Sequence, residues 1–310
     1  MTFFPFKEYG DSSNPPLVLI PGLDGITAFF SDSVPELTPY FHVIVLNLPL
    51  AKHPFTRWRT GGNGKGEGKY TLAYIAQKIA AAMDEASSPS LDFAGIEGGA
   101  PVVGESFGGM IAQRLALDFP EKVTKLVLLS SLAKTELTPV VKFKATFLLP
   151  IVEALGFALP SVAQSIFAKV HVSDVVESHE ADWVKKLFLK EASWAHHYSV
   201  MARCKVALHH DTTAELDKIK VGALIMYGED DTFTEVGAKQ LLEGIAGSIA
   251  QGLPGGHLPH VSRPKEFAAA VTSYCAPGAA SSGGEVKDMD IGMDFSDVVT
   301  VGGERKDEES

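Results

Sequence analysis

Continuous apolar runs alternate with amphipathic stretches along most of the chain. Runs at 17–20 (LVLI), 42–48 (HVIVLNL), 101–104 (PVVG), 123–129 (VTKLVLL) and 222–227 (GALIMY) stand out, with a weaker sixth at 248–253. They are apolar on both faces rather than alternating, which predicts buried parallel strands. The segments between them read as helices. Thr71 is placed to N-cap a helix whose Leu72, Ile75, Ile79 and Met83 share one face. Further helices are expected over 110–119, where Pro120 stops the helix, and over 238–245 and 264–274. Strand and helix repeated in this order predict an α/β fold, a mostly parallel doubly wound sheet with right-handed crossovers.

Three stretches break the rhythm. Residues 61–68 (GGNGKGEG) are Gly-rich and polar and predict a flexible surface loop. Residues 133–210 are helix-prone, carry no strand pattern and fall after the fourth clear strand. They predict a helical cap over one end of the sheet, with the core formed by 1–132 and 211–276. Residues 277–310, rich in Gly, Ser and acids, predict a disordered acidic tail.

Charge adds one exclusion. The net charge is −11, from 27 Lys plus Arg against 38 Asp plus Glu. From residue 276 onward the chain holds nine acids against Lys287, Arg305 and Lys306, a net of −6, so the rest carries only −5. That balance argues against binding nucleic acid through bulk charge. Two cysteines, Cys204 and Cys275, are too few for a disulfide scaffold or a four-Cys zinc site. The N-terminus lacks the basic and apolar regions of a signal peptide. The most apolar long window, 145–163, is interrupted by Pro150, Glu153 and Pro160 and does not read as a transmembrane segment. Cytoplasm is the expected compartment. No phosphate-binding loop with its lysine occurs. The pairs His196-His197 and His209-His210 are adjacent on the chain and do not share a helix face, so neither a metal nor a cofactor is expected.

The strongest chemical signal is Gly104-Glu105-Ser106-Phe107-Gly108, a G-x-S-x-G sequence between an apolar strand and a helix. Its serine would stand on a strained turn at the carboxyl edge of the sheet. The flanking glycines let strand and helix pass closely, and the helix N-terminus faces a developing oxyanion. A serine at its free pKa is a weak nucleophile and needs a base and an orienting acid. Gly228-Glu229-Asp230-Asp231 follows the fifth strand, and Gly255-Gly256-His257 follows the sixth. Asp231 is the preferred acid, Asp230 its alternative, and His257 the base. His260, three residues on, is expected at the surface or facing the cap.

With these residues in place the chain resembles the α/β-hydrolase superfamily over roughly residues 3–275. The matching segments are Pro21-Gly22-Leu23-Asp24-Gly25, Gly-Glu-Ser-Phe-Gly-Gly at 104–109, Gly-Glu-Asp-Asp at 228–231 and Gly-Gly-His at 255–257. The resemblance implies oxyanion donors at the backbone N–H groups of Leu23 and Phe107. It favours Asp231 by its spacing from Gly228, places a cap at 133–210, and implies a serine hydrolase of esters, thioesters or lactones. Two departures stand out. The His-Gly usual before the oxyanion residue is Pro21-Gly22, so the loop must be held by something other than that side chain. The N-terminal hairpin is cut down to residues 3–9. A small-molecule ester is the expected partner, in a pocket lined by cap residues such as Phe143, Phe147, Leu149, Leu155, Phe157, Phe167, Phe188 and Trp194.

The cap order (FLLP at 147–150, then 175 to 208) and the ending GGHLPHVSR at 255–263 are also similar to maspardin-type proteins. Those share the fold, have an incomplete triad and are thought to act in protein interaction. That resemblance implies a non-catalytic adaptor with a protein partner as the alternative function. All three triad residue types are present here.

Overall fold

A computed structural model describes residues 6–51, 70–86, 98–136, 138–176, 181–192 and 195–276. The Gly-rich stretch 61–68 and the acidic tail from 277 lie outside the described residues, as does Trp194.

The elements in chain order are β1 (Phe6–Tyr9), β2 (Pro16–Ile20), α1 (Val34–Leu37), β3 (His42–Leu46), α2 (Leu72–Ala86), β4 (Ala100–Glu105), α3 (Phe107–Asp118) and β5 (Val123–Leu129). A helical segment follows. It comprises α4 (Pro139–Phe143), a π-helical turn (Lys144–Leu148), α5 (Leu149–Ala158), α6 (Pro160–Val175), α7 (Asp182–Ala192) and α8 (His197–Ala207). The chain then returns to the sheet with β6 (Ala223–Gly228), α9 (Glu235–Gly244), β7 (Ile249–Leu253), α10 (Pro259–Ser262) and α11 (Pro264–Cys275). The sheet order is β1-β3-β2-β4-β5-β6-β7. All neighbours are parallel except β1, which pairs antiparallel with β3 from Phe6 opposite Leu46 to Tyr9 opposite Val43.

The doubly wound parallel sheet matches the sequence expectation, with one strand more. β1 (FKEY) is largely exposed and carries no apolar run to announce it. It is held by its backbone pairing to β3. Within β2, Val18 and Ile20 pack in the layer that contains Ile75 and Ile79 of α2 and Ile111 and Leu115 of α3. Leu17 and Leu19 face the other layer, with Leu37 of α1 and Phe267 and Val271 of α11. A strand apolar on both faces is buried on both, each such side chain contributing about 1.5–3 kcal/mol. Thr71 Oγ1 accepts from the Tyr74 N–H at 3.1 Å, capping α2 as its position suggests.

The segment between β5 and β6 leaves and rejoins the sheet at one place, because Lys134 and Asp211 form an isolated antiparallel bridge. It seats on the loops at the sheet's carboxyl edge. Ile26 and Phe29 there pack against Val172, Val184 and Phe188, together with Leu258 and Val261. Among the described residues no helix is long and apolar enough to cross a membrane.

Candidate active site

Strand β4 ends at Glu105 and α3 begins at Phe107, so Ser106 alone makes the turn between them. Its backbone is forced to φ 52°, ψ −114°, a conformation that costs a non-glycine residue about 1–3 kcal/mol. Its N–H donates to the Leu129 carbonyl at 2.8 Å, and its own carbonyl accepts from Gly109 N–H and Ser131 Oγ, both at 2.9 Å. The two motif glycines are required by contact. A Cβ at Gly104 would lie 2.4 Å from the Gly108 carbonyl oxygen, and one at Gly108 would lie 2.3 Å from that of Ile20. Helix α3 starts three residues earlier than its apolar pattern suggested, because the elbow feeds directly into it.

The acid and histidine loops are tied together by their backbones. Glu229 N–H donates to the Leu253 carbonyl at 2.9 Å, and Asp230 N–H to that of Gly255 at 3.0 Å. That pairing brings His257 between Ser106 and Asp231. His257 Nε2 lies 3.0 Å from Ser106 Oγ, and Nδ1 lies 2.9 Å from Asp231 Oδ2. The consistent tautomer has Nδ1–H donating to the carboxylate and Nε2 accepting from the hydroxyl, an assignment made from the network. Asp231 is 3% exposed. Its Oδ1 also accepts from the N–H groups of Phe233 at 3.1 Å and Thr234 at 3.3 Å, and its Oδ2 from the Thr234 hydroxyl. Burial alone would push the Asp231 carboxyl up, but His257 and these donors outweigh it and hold the group below its ordinary value. Asp230 is exposed.

Leu23 and Phe107 line the same cavity as Ser106 and His257. Among the described residues neither of their N–H groups donates to a protein acceptor. The cavity is about 600 Å³ and reaches from Ser106 under the helical segment, where Leu148, Leu149, Val152 and Phe167 form its wall. Of the expected lining residues, Leu149, Phe167 and Phe188 do line it. Phe143 and Phe147 are instead exposed, at 62% and 58%. Leu155 packs in the cluster around Val152, Ala163, Val200 and Met201 inside the helical segment. The side chain of Phe157 lies outside the described residues.

His260 is a correction. Expected at the surface or facing the cap, it is fully buried. Helix α10 turns it inward, against Phe30 at a ring-centroid distance of 5.0 Å and Phe267 at 5.8 Å. Neither ring nitrogen finds a hydrogen-bond partner among the described residues.

The site also contains groups that the sequence did not single out. Glu105 is 3% exposed, and its Oε2 accepts from the Gly22 N–H at 2.5 Å. Burial pushes its carboxyl up to about 7, with Asp24 adding to the shift while His257 and the Gly22 N–H oppose it. Asp24 lines the cavity with its carboxyl also raised by burial, against the pull of His171 and Arg203. The His171 ring nitrogen Nε2 is 3.7 Å from Asp24 Oδ2. Arg203 Nη1 donates to the Leu23 carbonyl at 2.8 Å. The only local signal for Glu105 is an acid at the apolar end of a strand. Asp24, His171 and Arg203 come together only through the fold. No group of three or more His, Cys, Asp or Glu among the described residues could hold a metal ion.

Comparison with known proteins agrees with this architecture. RutD of Caulobacter vibrioides, a protein named as a carbamate hydrolase, is 27% identical over 270 residues, covering 83% of this chain and 89% of the relative. The 3-oxoadipate enol-lactonase 2 of Acinetobacter baylyi is 25% identical over 214 residues, covering 68% and 73%. Among solved structures, a thermophilic esterase from Thermogutta terrifontis superposes with a TM-score of 0.69 at 19% identity, covering 87% of this chain and 92% of that one. At that identity the likeness speaks for the fold. The sequence profile of the alpha/beta hydrolase family matches residues 17–270, a span that runs from β2 through α11 and takes in the serine turn, the acid loop and the histidine loop, and the chain belongs to that family.

Proposed function

We propose that the protein is a serine hydrolase of carboxylic ester, thioester or lactone substrates that works through an acyl-enzyme. The observation that carries this reading is the continuous line from Ser106 Oγ through His257 to Asp231, with contacts of 3.0 and 2.9 Å. Ser106 attacks the carbonyl carbon while its proton passes to His257 Nε2. The resulting imidazolium is held by Asp231, which stays ionised because its pKa is depressed. The oxyanion is received by the N–H groups of Leu23 and Phe107, which line the cavity beside Ser106 and are not spent on a protein acceptor among the described residues. His257 then returns the proton to the leaving alcohol or thiol. Water repeats the sequence on the acyl-enzyme and releases the acid.

The names of the relatives, which include an enol-lactonase and a pimeloyl-[acyl-carrier protein] methyl ester esterase, support oxygen-ester and lactone substrates. The apolar wall at Leu148, Leu149, Val152 and Phe167 suits an apolar acyl or alcohol portion. We take 133–210 as a cap on a core of 1–132 and 211–276, and the cytoplasm as the place of action. The assembled serine–histidine–acid line supports hydrolysis over a maspardin-like adaptor role.

The test is labelling with a fluorophosphonate probe together with turnover of p-nitrophenyl esters. Wild-type protein should label and turn over. Ser106→Ala should do neither, with turnover down on the order of 10⁴- to 10⁶-fold. An Ala variant that keeps more than about a tenth of wild-type turnover, or a wild type that never labels, would remove Ser106 from the role and favour the adaptor.

A further inference from the structure

The oxyanion loop lacks the side chain that commonly holds it. Pro21 precedes Gly22 and has neither a side-chain donor nor an N–H. Yet the loop is fixed at three atoms. Gly22 N–H donates to Glu105 Oε2 at 2.5 Å, Gly25 N–H donates to the Gly22 carbonyl at 2.9 Å, and Arg203 Nη1 donates to the Leu23 carbonyl at 2.8 Å. The peptide group between Gly22 and Leu23 is trans, so with its carbonyl turned to Gly25 its N–H must face the opposite way. Leu23 lines the cavity on Ser106.

Gly22 is glycine for the same reason. A Cβ there would lie 2.6 Å from each Glu105 carboxylate oxygen, so any side chain at 22 would push the carboxylate off the Gly22 N–H. Glu105 is itself the residue before Ser106. One residue is therefore bonded along the chain to the serine and across the sheet edge to the loop 83 residues away. Burying a carboxylate is costly, and an apolar side chain would end β4 more cheaply.

We propose that Glu105 is a positioning residue for the proposed hydrolysis, its buried carboxylate clamping the Gly22 N–H so that the Leu23 N–H is held toward the substrate oxygen. The proposal rests on the reading of Ser106 as nucleophile and Leu23 as oxyanion donor. The charged groups facing Glu105 are Asp24 from the oxyanion loop and His257 from the loop after β7. Asp24 in turn faces His171 and Arg203 from the helical segment. An ionised Glu105 makes a charge-assisted bond to Gly22, roughly twice as strong as a neutral one. It also favours the imidazolium that His257 becomes. Protonation weakens both effects, and with the carboxyl pushed up to about 7 that change falls in the working range.

The experiment compares Glu105→Gln and Glu105→Ala with wild type in the full chain, measuring kcat and KM on p-nitrophenyl butyrate from pH 5 to pH 9. Thermal melting checks the fold. Glu105→Ala should lose about 10²-fold in kcat, the scale of one lost oxyanion donor, with KM within about threefold. Glu105→Gln keeps an amide oxygen to accept from Gly22 and should recover at least about a tenth of wild-type kcat at pH 8. It should also lose the ionisation near pH 7 from its acid limb. Wild-type kcat in Glu105→Ala, or a wild-type pH profile in Glu105→Gln, would overturn the clamp. If the Ala variant does not fold, the isosteric Gln variant decides by its pH profile alone. A Ser106→Ala control separates the two readings. If that variant is inactive while both Glu105 variants behave as wild type, only the clamp fails, whereas an active Ser106→Ala removes the hydrolysis reading itself.

Discussion

His257 Nδ1 is 2.9 Å from Asp231 Oδ2, while Asp230, one residue earlier, is exposed. The difference comes from the loop. Asp231 N–H donates back to the Gly228 carbonyl, closing a turn that points the second aspartate inward, and the Asp230 N–H is spent on the Gly255 carbonyl. Thr234 and Phe233 then complete the shell of donors around the Asp231 carboxylate.

Asp231→Asn should therefore reduce kcat/KM on the order of 10⁴-fold, because the amide favours the wrong histidine tautomer. Asp230→Asn should stay within about threefold of wild type. Steady-state kinetics on one chromogenic ester decide the matter, and the reverse ranking would move the acid to Asp230.

Gly108→Ala should damage the elbow. Its Cβ would meet the carbonyl oxygens of Ile20 at 2.3 Å and Pro21 at 2.6 Å, and these are backbone atoms at the root of the loop that follows β2. Overpacking of this kind costs about 1–3 kcal/mol. A melting temperature several degrees lower and slower fluorophosphonate labelling are expected. An unchanged melting curve with unchanged labelling would mean that the close approach of α3 to β2 is looser than described.

Much of the sheet was legible because its interior strands are apolar on both faces, a local property of the sequence. Strand β1 was not, since three of its four residues are exposed and its place depends on pairing with β3. Ser106, Asp231 and His257 could be grouped from the sequence because each follows a strand, and strand ends meet at one edge of a parallel sheet; their side chains do lie within 3.0 Å of one another in line. Glu105 and Gly22 meet across 83 residues, and Arg203 reaches Leu23 across 180. No periodicity encodes such pairs. His260 is not at the surface because Pro259 starts a short helix that turns the ring into the core, a local turn that no apolar pattern announces.

Val152 lines the cavity and is nearly fully buried. Val152→Phe should shorten the space available beyond Ser106. Each methylene that can no longer be buried forfeits about 0.8 kcal/mol, so the preference for octanoyl over acetyl p-nitrophenyl esters should fall at least about tenfold, with acetyl turnover little changed. A chain-length profile identical to wild type would place the acyl group elsewhere in the cavity.

Burial pushes His260 down to about 3 and His210 down to about 4, both from an ordinary value of 6.5. Such a histidine stays neutral in the folded protein while the unfolded chain takes up a proton below about pH 6.5. The unfolded state then binds more protons. Stability is intact above that pH and is lost as pH falls, toward about 4 for His210 and about 3 for His260, by up to about 1.4 kcal/mol per pH unit for each residue. His260→Phe keeps a ring against Phe30 and Phe267 and removes two buried nitrogens without partners among the described residues. It should raise the melting temperature more at pH 5 than at pH 8, while His210 leaves part of the acid sensitivity in place. Denaturation curves of both proteins at the two pH values provide the measurement. An equal difference between variant and wild type at pH 5 and pH 8 would show that His260 is not held neutral by its surroundings.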